Sequence, residues 1–145
     1  MCQVAKEAGG PDLALQVLFC PVTDLSPETE SRGTYAEGYF LNREMLEWTV
    51  MHYCGPNADV SDPRLSPLRS PDLSNLPPTH IHTAEFDMLR DEGKAYADRL
   101  AHAGVKVRYT CHSGMIHHFY AMAAVIPYAR IATKMAGAAI RMTLG

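Results

Sequence analysis

A chain of 145 residues with 47% apolar and 20% charged residues has the composition of one globular domain and not of a disordered or fibrous chain. Thirteen basic against sixteen acidic residues leave a net charge of −3 with no basic patch, which argues against a nucleic-acid partner. The longest apolar stretch, residues 119–129, is interrupted by Pro127 and too short to span a bilayer; the charges of Lys6, Glu7 and Asp12 do not fit a secretory signal.

Residues 2–8 read as the end of a helix stopped by Gly9, Gly10 and Pro11. Residues 13–20 (LALQVLFC) form a mostly apolar run between Pro11 and Pro21, the pattern of a strand buried on both faces. Residues 22–41 read as irregular, with Pro27, Gly33 and Gly38. Asn42 caps a helix running to about Tyr53, with Leu46, Val50 and Tyr53 on its apolar side and Gly55-Pro56 as its stop. This makes residues 24–60 a connecting segment with one helix inside a single domain of residues 1–145.

Residues 57–78 form a polar loop with five prolines. Residues 79–84 (THIHTA) alternate as a short strand. Asp91 caps the next helix, whose stripe is Tyr96, Leu100 and Ala103, and Gly104 follows it. Residues 105–111 (VKVRYTC) alternate as a strand near a sheet edge, and residues 112–116 read as a loop. A last helix starts at Pro127, with Ile131, Met135 and Ala139 on its buried side.

Strands and helices alternate through long crossovers, so the class is α/β with a mostly parallel sheet of about three strands and flanking helices. In such sheets, functional groups collect on loops at the carboxyl ends of strands. Three loops qualify: 21–24, 85–88 and 112–118. Asp87 follows the second strand and His117 the third. An acid followed in the chain by a histidine is the second half of a Ser…Asp…His order, in which the carboxylate fixes the tautomer of the imidazole and the imidazole moves the proton.

Other histidines carry less. His80 and His82 share one face of a strand, and no third metal ligand is evident beside them. Cys2, Cys20, Cys54 and Cys111 form no C-x-x-C pair and read as free thiols in a reducing cytoplasm. Tyr35, Tyr39, Phe40 and Trp48 are either core residues or the lining of an apolar pocket. No metal or cofactor site is expected, and no Gly-rich phosphate loop is present.

The strings Asp62-Pro63-Arg64-Leu65-Ser66-Pro67-Leu68, Glu85-Phe86-Asp87-Met88-Leu89-Arg90-Asp91-Glu92-Gly93 and Gly114-Met115-Ile116-His117-His118-Phe119 resemble the hormone-sensitive-lipase-like branch of the α/β-hydrolase esterases and lipases. Leu76-Pro77-Pro78 and Tyr96-Ala97-Asp98-Arg99-Leu100 agree, and the resemblance covers essentially the whole chain. It implies the C-terminal part of an α/β-hydrolase fold, with Asp87 as catalytic acid, His117 as catalytic base and small carboxylic esters as substrates. It implies no cofactor.

Two departures stand out. His118 occupies the place of a glycine that follows the histidine in the family and that would permit unusual backbone angles. None of the seven serines lies in a G-x-S-x-G context, and the oxyanion-loop motif is missing. The resemblance therefore implies a truncated domain whose nucleophile lies upstream and which is inactive alone. The alternative is a non-catalytic α/β module. The apolar strand 13–20 would have an open edge in either case, so a homo-oligomer or a missing upstream segment is expected.

Overall fold

A computed structural model describes residues 1–26 and 28–145; Pro27 of the irregular 22–41 stretch lies outside the described residues. In chain order the elements are α1 (Cys2–Glu7), β1 (Gln16–Phe19), α2 (Glu30–Thr34), α3 (Arg43–Cys54), β2 (Thr79–Phe86), α4 (Arg90–His102), β3 (Val107–Ile116) and α5 (Pro127–Leu144). Short 3-10 turns occupy Pro67–Arg69 and Phe119–Ala121. The sheet is parallel throughout, in the order β1-β2-β3. All three strands therefore send their carboxyl ends to one side.

Strand alternation divides the core in two. Ile81 faces α4, where it meets Leu73, Leu76, Tyr96, Ala97, Leu100 and Val105. Ala84 and Cys20 face α5, where they meet Phe119, Ala129 and Ala132. On the α4 side the approach is close: a Cβ built on Gly93 would lie 2.8 Å from Thr83 Cγ2. Glycine is needed there for space.

β1 is shorter than the apolar run 13–20, and all four of its residues are half-buried instead of buried on both faces. The reason is its position. β1 hydrogen-bonds to β2 on one side, and no strand flanks its other edge among the described residues. β3 extends beyond the expected 105–111 and takes in the stretch read as a loop. Ala84 pairs with His112 and Phe86 with Ile116, so one residue of β2 spans three of β3. Gly114 turns this bulge with φ 74, and Glu85 holds it, accepting from Gly114 N–H at 2.7 Å and Ser113 Oγ at 2.8 Å.

The segment 24–60 holds two helices where one was expected. α2 is a single capped turn, its Thr29 hydroxyl accepting from Arg32 N–H. A five-residue helix has too few periodic positions to be seen in sequence. In α3, Asn42 caps as expected, accepting from Met45 N–H at 2.8 Å. Leu46 packs on Met88 and Leu89, with Val50 alongside. Tyr53, expected on the buried side, is exposed; the α3 residues that join the core are Leu46 and Val50. In α5 the buried stripe is Ala129, Ala132, Ala136 and Ala139, while Ile131 and Met135 are exposed. Small residues form the face of this helix that packs on Phe119 and Ala84. Asp91 does not cap α4; its carboxylate accepts from Ser31 N–H at 2.8 Å, tying α2 to α4.

Candidate active site

Asp87 leaves the end of β2 and is buried. Its Oδ1 accepts from Leu89 N–H at 2.9 Å and its backbone carbonyl from Arg90 N–H at 3.1 Å, so the turn into α4 fixes the carboxylate. Its Oδ2 lies 2.8 Å from Nδ1 of His117, which sits just past β3. A carboxylate only accepts, so Nδ1 is the donor of this bond, and in the neutral imidazole that tautomer leaves the lone pair on Nε2. The two residues named from the sequence are thus brought together at adjacent strand ends, in hydrogen-bond contact.

His118 adopts the left-handed conformation, φ 63 and ψ 11. This is the backbone geometry a glycine at that place would supply most cheaply. The loop keeps that turn with a histidine, whose exposed ring stacks at 6.0 Å on Phe40. Tyr35 and Tyr39 pack on Phe86, with ring centroids 5.8 Å away in both cases, so three of the four flagged aromatics gather near the strand ends. Trp48 does not join them; it lies exposed on α3 against His52. A cleft of about 500 Å3 beside Leu25, Leu46, Val50 and Met88 does not include Asp87 or His117 in its lining.

One group went unnoticed in sequence. Cys20, at the end of β1, is buried, and its Sγ lies with donor atoms of Asp87 and His117 in a set no more than 4.8 Å apart. Burial pushes its thiol up to about 12, the Asp87 charge adding to the effect and the amides of His118 and Ala84 opposing it. Its place at a strand's carboxyl end was the available signal. His80 and His82 do not reach the site. His82 Nδ1 lies 3.1 Å from His112 Nε2, and His112 Nδ1 lies 3.1 Å from Tyr128 OH.

The serines are engaged elsewhere. Ser31 Oγ donates to the Met88 carbonyl and Ser113 Oγ to Glu85. Ser66 Oγ donates to the Val60 carbonyl and accepts from Leu25 N–H, the turn-stabilising role its sequence context suggested. Among the described residues, His117 makes its one side-chain hydrogen bond with Asp87.

Residues 1–121 match a family described as having the alpha/beta hydrolase fold. The chain belongs to the α/β-hydrolase family. It is 36% identical to Carboxylesterase NlhH of Mycobacterium tuberculosis over 99% of this chain and 46% of that protein. It is 42% identical to an ethyl acetate hydrolase of Pseudomonas putida over 77% of this chain and 35% of that protein. Among solved structures, the ester-hydrolase EH1AB1 from the metagenome of Lake Arreo, complexed with a derivative of bipyridine phosphonate, superposes with a TM-score of 0.92. It shares 42% identity over 95% of this chain and 44% of that one. The chain therefore spans about half the length, or less, of the relatives it matches. No described helix of this α/β-hydrolase chain is long and apolar enough to cross a membrane.

Proposed function

We propose that Asp87 and His117 are the acid and base of a Ser–His–Asp carboxylesterase acting on small-molecule esters. The observation that carries this reading is the 2.8 Å hydrogen bond between a buried carboxylate and Nδ1 at adjacent strand ends. In the proposed cycle His117 Nε2 takes the proton of a serine hydroxyl as it attacks the ester carbonyl. It then hands that proton to the departing alcohol. Water hydrolyses the acyl-enzyme by the same route, and Asp87 stabilises the imidazolium at each stage. The serine and the oxyanion donors would come from outside residues 1–145, and the four free thiols suit a reducing cytoplasm.

The test compares two proteins. The 145-residue chain alone should turn over p-nitrophenyl acetate negligibly and resist a serine-directed phosphonate. A longer chain with an in-frame G-x-S-x-G segment ahead of it should hydrolyse the ester, and His117→Ala should abolish that turnover. Turnover insensitive to His117→Ala would overturn the assignment.

A second reading rests on the open edge of β1. We infer that the chain by itself pairs with another copy through this edge, because the strand is apolar, half-buried and unflanked.

A further inference from the structure

Three parallel strands end side by side here, and each contributes one metal-ligating side chain. Cys20 comes from the end of β1, Asp87 from the end of β2 and His117 from the end of β3. Their donor atoms, one sulfur, one oxygen and one nitrogen, all lie within 4.8 Å of one another, the one such group of three among the described residues. Tetrahedral zinc with bonds of about 2.0–2.3 Å sets its donors roughly 3.3–3.8 Å apart. Closing the set requires side-chain adjustments of about 1 Å, within reach of a histidine on a loop and a cysteine rotamer.

We propose that Cys20, Asp87 and His117 form a binding site for a thiophilic divalent cation of the zinc class. Charge and chemistry both favour it. The thiolate and the carboxylate together neutralise a dication, so a site whose Cys20 and Asp87 are both buried gains a neutral centre. Sulfur selects zinc, cobalt or cadmium over magnesium and calcium. Three protein ligands leave the fourth position open to solvent, and the half-buried His117 side chain marks the way in.

Binding balances as follows. The ion replaces the proton between Asp87 and His117, and the imidazole proton relocates to Nε2 through solvent. The Cys20 thiol releases its proton to the buffer, so one proton leaves per ion bound. Metal affinity therefore rises with pH. On the esterase reading given above, the same ion blocks catalysis, because the base no longer has a free lone pair and the acid no longer orients it.

The experiment reads binding, so it stands apart from ester hydrolysis. In a chain carrying Cys2→Ser, Cys54→Ser and Cys111→Ser, Cys20 is the sole thiol. One equivalent of Co2+ should give a thiolate-to-metal charge-transfer band, and Zn2+ titrated calorimetrically in two buffers of different ionisation heat should release one proton. Adding Cys20→Ser should abolish the band and weaken Zn2+ by more than the ~10–100-fold seen when an outer-shell partner is lost. Should the triple variant not fold, the wild-type chain serves. One equivalent of Zn2+ should shift the His117 ring resonances, and Cys20→Ser should abolish the shift. Absence of the band in the folded variant overturns the site, as does Zn2+ affinity unchanged by Cys20→Ser or His117 resonances indifferent to Zn2+. A site that fails this test leaves the esterase assignment standing, and the reverse also holds.

Discussion

Arg32 grips Glu92 through two nitrogens, Nε at 2.9 Å and Nη2 at 2.6 Å, in a place where the two side chains are 8% and 0% exposed. The same carboxylate accepts from Thr23 N–H at 2.7 Å and Asp24 N–H at 3.2 Å, and Arg32 donates to the Asp24 carbonyl. The loop after β1, helix α2 and helix α4 are thereby joined at one point. Burial holds the Glu92 carboxyl above its usual range, although Arg32 and the two amides pull it down.

A buried pair of this kind adds little net stability over a well-packed apolar substitute, but leaving one half behind is costly. Glu92→Ala strands the guanidinium and two amides together. It should lower unfolding free energy by about 3–5 kcal/mol, read from urea midpoints. A loss near zero would mean that solvent reaches the cluster.

Gly93→Ala should destabilise although alanine is the better helix former by about 1 kcal/mol. The new methyl meets Thr83 Cγ2, and Thr83 is itself held by a 2.8 Å contact between its hydroxyl and Tyr109 OH. Overpacking of this sort costs about 1–3 kcal/mol. Thr83→Ser removes the clashing methyl and keeps the hydroxyl. The double variant should therefore be more stable than the sum of the single effects, and strict additivity would refute the clash.

Acid should weaken the fold through His82. Burial depresses its pKa from 6.5 to about 4, and the charges that His112, His80 and Arg108 carry add to the effect. The unfolded chain then binds the extra proton throughout that window while the folded chain does not. The stabilisation is complete above pH 6.5 and is lost as pH falls towards 4, on the order of 3 kcal/mol in all. Urea midpoints for wild type and His82→Gln across the window should show a shallower pH slope in the variant. Equal slopes would place the titration elsewhere.

The β1 edge should make the isolated chain associate at micromolar concentration in sedimentation experiments. Val17→Lys puts a charge on the strand and should shift the population towards monomer. A wild-type monomer of 16.0 kDa with β1 amides protected from exchange would contradict the edge reading.

The strand order, the longer helices, the capping role of Asn42 and the start of α5 at Pro127 were legible from local signals; the meeting of Asp87 with His117 was legible from the family resemblance of the strings around them, together with their acid-then-histidine order. These depend on neighbours a few residues apart or on strand ends in a parallel sheet. What escaped depends on contacts between distant segments. The bulge in β3 is held by Glu85, some 30 residues earlier, so no local pattern reveals it. The buried alanine stripe of α5 is set by which face meets Phe119, a contact between separate segments, and not by side-chain hydrophobicity. Cys20 gains its neighbours only when three strand ends converge, and the Arg32–Glu92 pair joins residues 60 positions apart.

The bulge also bears on how the two strand ends meet. Between Ala84 and Phe86, β3 takes up two residues more than β2, yet Phe86 still pairs with Ile116. The surplus is stored sideways, at the turn of Gly114, and adds nothing along the strand axis. His117 therefore stays level with Asp87, one residue past the Phe86–Ile116 pair. The alignment of the histidine with its acid is set by the pairing that resumes after the bulge, and the extra residues are slack that Glu85 pins beside the strand.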